Sequence, residues 1–178
     1  MILKRVFLVI LIAFVSNSYA FQLKKSVFKK AKKEIVKAFD LKEYSLTKIV
    51  VNNKVNDQLF KRIGIHSLYK IIANNASVGY AYVDKAPSKT DEFDYLILLD
   101  VNLIIKKAKI LVYREDYGGE IGSRRWLKQF IGKTSLDNLK YEREIIAISG
   151  ATISARAMTI AINTFLKNIA ILKENNIL

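Results

Sequence analysis

Residues 67–114 read SLYKIIANNASVGYAYVDKAPSKTDEFDYLILLDVNLIIKKAKILVYR. Isoleucine, valine, leucine and tyrosine crowd into Ser67–Ala73, Ser77–Lys85, Phe93–Leu99 and Leu103–Arg114. Branched and aromatic side chains suit a pleated, half-buried surface, so each stretch reads as a strand. The breaks, Asn74-Asn75, Ala86-Pro87-Ser88 and Asp100 with Asn102, are turn formers. Strands in succession joined by short links predict an antiparallel meander.

The periodicity changes on either side of this run. Toward the N-terminus, Val27, Phe28, Ala31, Ile35 and Phe39 stack on one face of a helix whose other positions are mostly lysine. Toward the C-terminus, Ala155, Met158, Ile162, Phe165, Ile169 and Leu172 recur at helical spacing, predicting a long helix that begins near Thr152 and runs into the last residues. An antiparallel sheet flanked by an N-terminal amphipathic helix and a long C-terminal helix is an α+β domain. Between these elements, Tyr44–Gly64 reads as a short strand or turn followed by a helix over Asp57–Arg62. Tyr117–Gly122 reads as a glycine-rich loop leading into a helix over Ser123–Phe130, with Ser123 as its cap and Gly132 at its end.

The chain of 178 residues suits one domain behind a targeting segment. Lys4 and Arg5 precede an apolar run from Val6 to Val15, and a polar stretch then closes on Ser18-Tyr19-Ala20. This is the pattern of a secretory signal cleaved after Ala20, since the apolar run is too short to span a bilayer. Residues 1–20 are therefore expected to be a signal peptide, residues 21–178 a single domain, and the location periplasmic or on the extracytoplasmic face of the membrane. The chain has no cysteine, which excludes disulfides, thiolate-held clusters and thioether haem. Its single histidine, His66, does not suit a multi-histidine metal site.

Formal charge is +14, and loss of Lys4 and Arg5 with the signal leaves +12. Much of it lies between Lys24 and Lys42, either as a solvated helix face or as an attraction to anionic lipid or an acidic partner. Nucleic acid is not an expected partner, because export removes it and the lysines form no recognition motif.

The segment Ile148-Ser149-Gly150-Ala151-Thr152-Ile153-Ser154 lies where an apolar stretch meets the long C-terminal helix. The first turn of a helix leaves N–H groups unpaired, and with the helix dipole they favour an anion such as phosphate. Gly150 permits close backbone approach, while Ser149, Thr152 and Ser154 add hydroxyls. On residue chemistry alone a plain N-cap explains the same letters.

Ser149-Gly150-Ala151-Thr152, followed by Ile153-Ser154, resembles the flavinylation motif of the FMN-binding domain family, which includes the C subunit of sodium-pumping NADH:quinone oxidoreductase and the G subunit of the Rnf complex. Two further segments resemble that family in the expected order: Arg114-Glu115-Asp116-Tyr117-Gly118-Gly119-Glu120-Ile121, then Trp126 with Gln129-Phe130-Ile131-Gly132-Lys133. The resemblance is strongest over 67–165. It implies FMN as cofactor, joined by its phosphate to the hydroxyl of Thr152 by an FAD-dependent flavin transferase. It also implies a cofactor site made by Thr152, Ser149, Gly150, Ala151 and Ser154. From the glycine loop, Tyr117, Gly118, Glu120 and Ile121 are candidates to contact the flavin.

The function implied is electron transfer with a membrane or periplasmic redox partner, rather than an enzyme with its own substrate. In the family an aspartate usually stands six residues before the modified threonine, and here that position is Ile146. This departure leaves open a flavin-free binding module of the same fold, docking to a membrane surface or an acidic partner.

Overall fold

The computed structural model describes residues 25–178, so the expected signal peptide and its cleavage point lie outside the described residues. Helix α1 occupies residues 25–39. There follow β1 (Ser45–Lys48), α2 (Asn53–Asn56), β2 (Leu68–Ala73), β3 (Ala76–Pro87), β4 (Glu92–Leu99), β5 (Ile105–Val112), α3 (Arg124–Leu127) and α4 (Thr152–Glu174). The strands form one sheet in the order β1-β2-β3-β4-β5, every neighbour antiparallel. The domain is α+β, as the hydrophobic pattern predicts.

Four of the five strands coincide with the four expected stretches, and β1 is a short strand at the start of Tyr44–Gly64, where a short strand or turn is expected, pairing Ser45 with Ile72 at the sheet edge. The β2–β3 hairpin turns on Asn74 (φ 50°) and Asn75 (φ 60°). Two consecutive left-handed residues match the right-handed twist of the strands, and asparagine tolerates that conformation better than most residues.

The helix expected over Asp57–Arg62 is not formed. Asn52 accepts a hydrogen bond from the Val55 N–H at 3.0 Å, which starts α2 at Asn53. The buried Asn56 carboxamide then bonds both backbone groups of Ile63, at 2.8 and 3.0 Å, and folds the intervening residues into turns. Further on, the Ser123 hydroxyl caps α3 and Gly132 (φ 82°) follows the 3-10 turn Lys128–Phe130.

The sheet lies between two layers. Along β4, Phe93, Tyr95, Ile97 and Leu99 join the core under α4, while the alternating Leu96 and Leu98 join Val27, Ala31 and Ile35 of α1. Period-two alternation thus supplies both layers from one strand. All six apolar positions of α4 expected from its periodicity are buried, and Phe165 stacks on Tyr82 with ring centres 3.9 Å apart. Burial of each of the larger ones, Met158, Ile162, Phe165, Ile169 and Leu172, contributes about 1.5–3 kcal/mol over the exposed state. No helix among the described residues is long and apolar enough to cross a membrane.

Candidate functional site

Helix α4 opens without a side-chain cap. Its N-cap position is Ala151, which has no hydrogen-bonding side chain, and the first intrahelical bond runs from the Ala155 N–H to the Ala151 carbonyl at 2.8 Å. The N–H groups of Thr152, Ile153 and Ser154 therefore have no carbonyl partner within the helix. Thr152 is the first helical residue, not the cap, and it is exposed. Partial positive charge and free donors at this end suit an anion.

The turn before α4 rests against the glycine loop. Gly150 has φ 82° and Gly118 has φ 88°, both favouring glycine. A β-carbon on Gly118 would lie 2.5 Å from the Tyr113 hydroxyl and 3.5 Å from the Gly150 carbonyl oxygen. A β-carbon on Gly150 would lie 3.3 Å from the carboxyl carbon of Glu120. Below this contact the Tyr113 hydroxyl bonds Ser154 Oγ at 2.9 Å. Segments thirty or more residues apart in sequence thus meet around Gly150.

On its other side Thr152 lines an open groove of about 690 Å³, within the range of roughly 300–1,000 Å³ usual for small-molecule sites. The walls are largely apolar or small, with Phe60, Pro87, Ile153, Ala157 and Ile160, and three cations join them, Lys61, Lys85 and Arg156. Lys61 pairs with Asp84 at 2.6 Å and Lys85 with Glu92 at 3.1 Å. Arg156 has no acidic partner among the described residues and lies 5.5 Å from the Tyr141 ring. One turn beyond Thr152, it places a free positive charge on the helix end that already favours an anion.

The expected site residues separate into two roles. Ser149, Gly150, Thr152, Tyr117 and Glu120 are exposed around the Gly150 turn. Gly118 is buried there because its bare backbone closes the contact with Tyr113. Ile121, Ala151 and Ser154 are also buried: Ile121 in the main core, Ser154 bonded to Tyr113. These three hold the turn in shape from beneath.

Sequence reasoning missed Phe60, Lys61, Lys85, Pro87 and Arg156. Arg156 was legible, since it stands four residues after Thr152 on one helix face. Phe60 and Lys61 were not, because a distant residue places them. The buried Asn168 of α4 accepts from the Phe60 N–H at 2.9 Å and donates to the Lys61 carbonyl at 2.8 Å.

The residues around Ile146 have a structural explanation. Gln129 accepts from the Ile146 N–H at 2.7 Å, and the Trp126 indole N–H donates to the Ile146 carbonyl at 2.8 Å. Trp126 itself is a core residue, edge-on to Phe130. The backbone leading to Ser149 is thereby anchored, while the Ile146 side chain faces solvent, 71% exposed.

The donors and shape at Thr152 fit a phosphate-bearing cofactor with a flat apolar ring: an uncapped helix start and Arg156 for the phosphate, and an apolar groove for the ring. Residues 89–167 match the family model described as FMN-binding domain. No curated protein matches the chain. The match begins in the turn before β4 and takes in β5, the glycine loop, the Ser149–Thr152 turn and most of α4, so it contains every residue of the expected site. Over residues 89–167 the chain is similar to the FMN-binding domain family, and that domain indicates FMN as the cofactor.

Proposed function

We propose that this protein is an exported flavin-based electron carrier or redox subunit whose Thr152 bears FMN through a phosphoester. The observation that carries this reading is the exposed Thr152 at the uncapped start of α4, at the mouth of a groove with Arg156 on its wall. The backbone N–H groups of the first helical turn and the Arg156 guanidinium would hold the phosphate. Phe60, Pro87 and Ile160 would take the apolar ring, and Glu120, an acceptor beside Gly150, suits hydroxyl groups of the ligand.

Attachment is a phosphoryl transfer in which Thr152 Oγ1 bonds to the phosphorus on the flavin side of FAD. The pyrophosphate P–O bond breaks, AMP leaves with the bridging oxygen, and the threonine proton is released. A flavin transferase supplies the catalysis. Bound FMN supplies one- and two-electron chemistry, for which the protein sets exposure and potential. Sequence features at residues 1–20 support export, and outside the cytoplasm a phosphoester keeps a scarce cofactor from dissociating. The electrons would pass to or from a membrane or periplasmic partner.

Denaturing electrophoresis of protein made in a host that holds the transferase tests this. A fluorescent flavin band is expected from the parent and from Ser149→Ala, and none from Thr152→Ala. A band that survives in Thr152→Ala would place the bond elsewhere.

A further inference from the structure

A second groove, larger than the first at about 1,030 Å³, runs along the outer edge of β5 between α1 and α3. Seven cations line it against one acid, Glu34, which pairs with Lys107 at 2.6 Å. Lys37, Lys106, Lys109, Arg124, Arg125 and Lys128 remain without an acidic partner among the described residues. Burial raises the Glu34 carboxyl, yet its bond to Lys107 and the charges of Lys107, Lys109 and Lys37 hold it below the ordinary range.

The shape of this groove selects its occupant. Strand β5 is the last in the sheet, so one edge of its backbone has no strand partner. That edge is closed at its start, where Ile105 exchanges bonds with Gly132 and Lys133 at 2.8 and 2.9 Å. It is closed again at Leu111, whose carbonyl accepts from Lys30 at 3.0 Å. Between these points Lys106–Lys109 form the wall of the groove. An open strand edge recruits extended chains by backbone pairing, and here cations surround it.

We propose that this groove docks an extended, acidic segment of a partner protein. The segment adds along the open edge of β5 while its carboxylates pair with the six free cations. A flat bilayer would meet only the rims of a concave groove, and no aromatic side chain lines it for bases to stack on. Gly122 lines the groove and ends the 3-10 turn that Gly118 opens, so a docked partner is held beside the loop that touches Gly150. The docking itself does not rest on the flavin reading. That the partner exchanges electrons with the flavin does.

The test is fluorescence anisotropy with a fluorescein-labelled peptide alternating glutamate and valine, on the Thr152→Ala protein so that flavin attachment plays no part. Binding should weaken as salt is raised. It should fall at least about tenfold in the triple variant Arg124→Glu, Arg125→Glu, Lys128→Glu. A control reversing Lys54, Lys140 and Lys173 carries the same change in net charge and should lose less than about threefold. Circular dichroism checks that each variant folds, and Arg124→Gln with Arg125→Gln gives a milder pair.

Equal losses in both triples would reduce the effect to net charge and overturn the site. Equal binding of a peptide with proline at alternate positions would overturn pairing to β5. Sedimentation with phosphatidylserine vesicles that depends on the groove cations, without peptide binding, would overturn the protein partner.

Discussion

The Tyr113 hydroxyl and Ser154 Oγ lie 2.9 Å apart, joining the residue just after β5 to the first turn of α4 beneath the contact between Gly118 and Gly150. Ser154 is 3% exposed, so its hydroxyl depends on this bond. Tyr113→Phe is expected to lower stability by about 1–3 kcal/mol in urea denaturation, the cost of a buried polar group left unpaired. Flavin loading should fall with it, because the turn that presents Thr152 loosens.

The glycines around the site are not equivalent. Gly118→Ala sets a left-handed φ against a β-carbon and drives that carbon onto the Tyr113 hydroxyl. It should cost about 1–2 kcal/mol for the backbone and about 1–3 kcal/mol for the clash. Gly150→Ala meets the same φ penalty but only the mobile end of Glu120. Gly119→Ala has open space and no left-handed φ, so its stability should stay within about 0.5 kcal/mol of the parent. Thermal melts of the three proteins rank them.

Asn168 holds the Phe60–Lys61 backbone from within α4. Asn168→Ala should destabilise by about 1–3 kcal/mol and free that wall of the groove. The second effect separates it from a core defect: the visible flavin spectrum should shift toward that of flavin in water, while Met158→Leu, a core swap of similar volume, should leave the spectrum in place.

Glu115 binds the turn before β4, accepting from the Thr90 N–H at 2.6 Å and the Ser88 hydroxyl at 2.7 Å. The Thr90 N–H, then the Ser88 hydroxyl, hold its carboxyl down to about 2 from an ordinary 4.5. A depressed carboxylate stabilises the fold above the ordinary value, and that contribution is lost as pH falls through the folded one. Glu115→Gln should therefore be less stable than the parent at neutral pH. The gap should close between about pH 4.5 and pH 2, as followed by denaturation at stepped pH.

The strands and both long helices were legible because burial alternates along a strand and repeats along a helix, and Asn74-Asn75 marked its own turn. Helix α2 was not, since Asn52 and Asn56 act through side-chain bonds that no periodicity reports. In the site, the Ser149–Thr152 turn and the glycine loop were legible from a motif. The opposite wall was hidden, because Phe60 and Lys61 reach it only through Asn168, more than a hundred positions away. Ile121 read as a ligand contact from its place in the loop, yet its apolar side chain packs into the core while Gly119 and Glu120 of the same loop are exposed.

Ile146 presents an exposed side chain on an anchored backbone, where the family usually has aspartate. A surface position of this kind is available to a transferase without any role inside the domain. Ile146→Asp should raise the fraction of flavin-bearing protein in a host with the transferase while leaving the melting temperature unchanged. A fraction that does not rise would separate this position from transferase recognition.

Intact-mass spectrometry of protein matured with the transferase measures the bond at Thr152 most directly. The parent should carry the mass of FMN less one water, and Thr152→Ala should carry none. A parent that binds FMN yet returns to its bare mass on denaturation would contradict the phosphoester and leave a non-covalent flavoprotein.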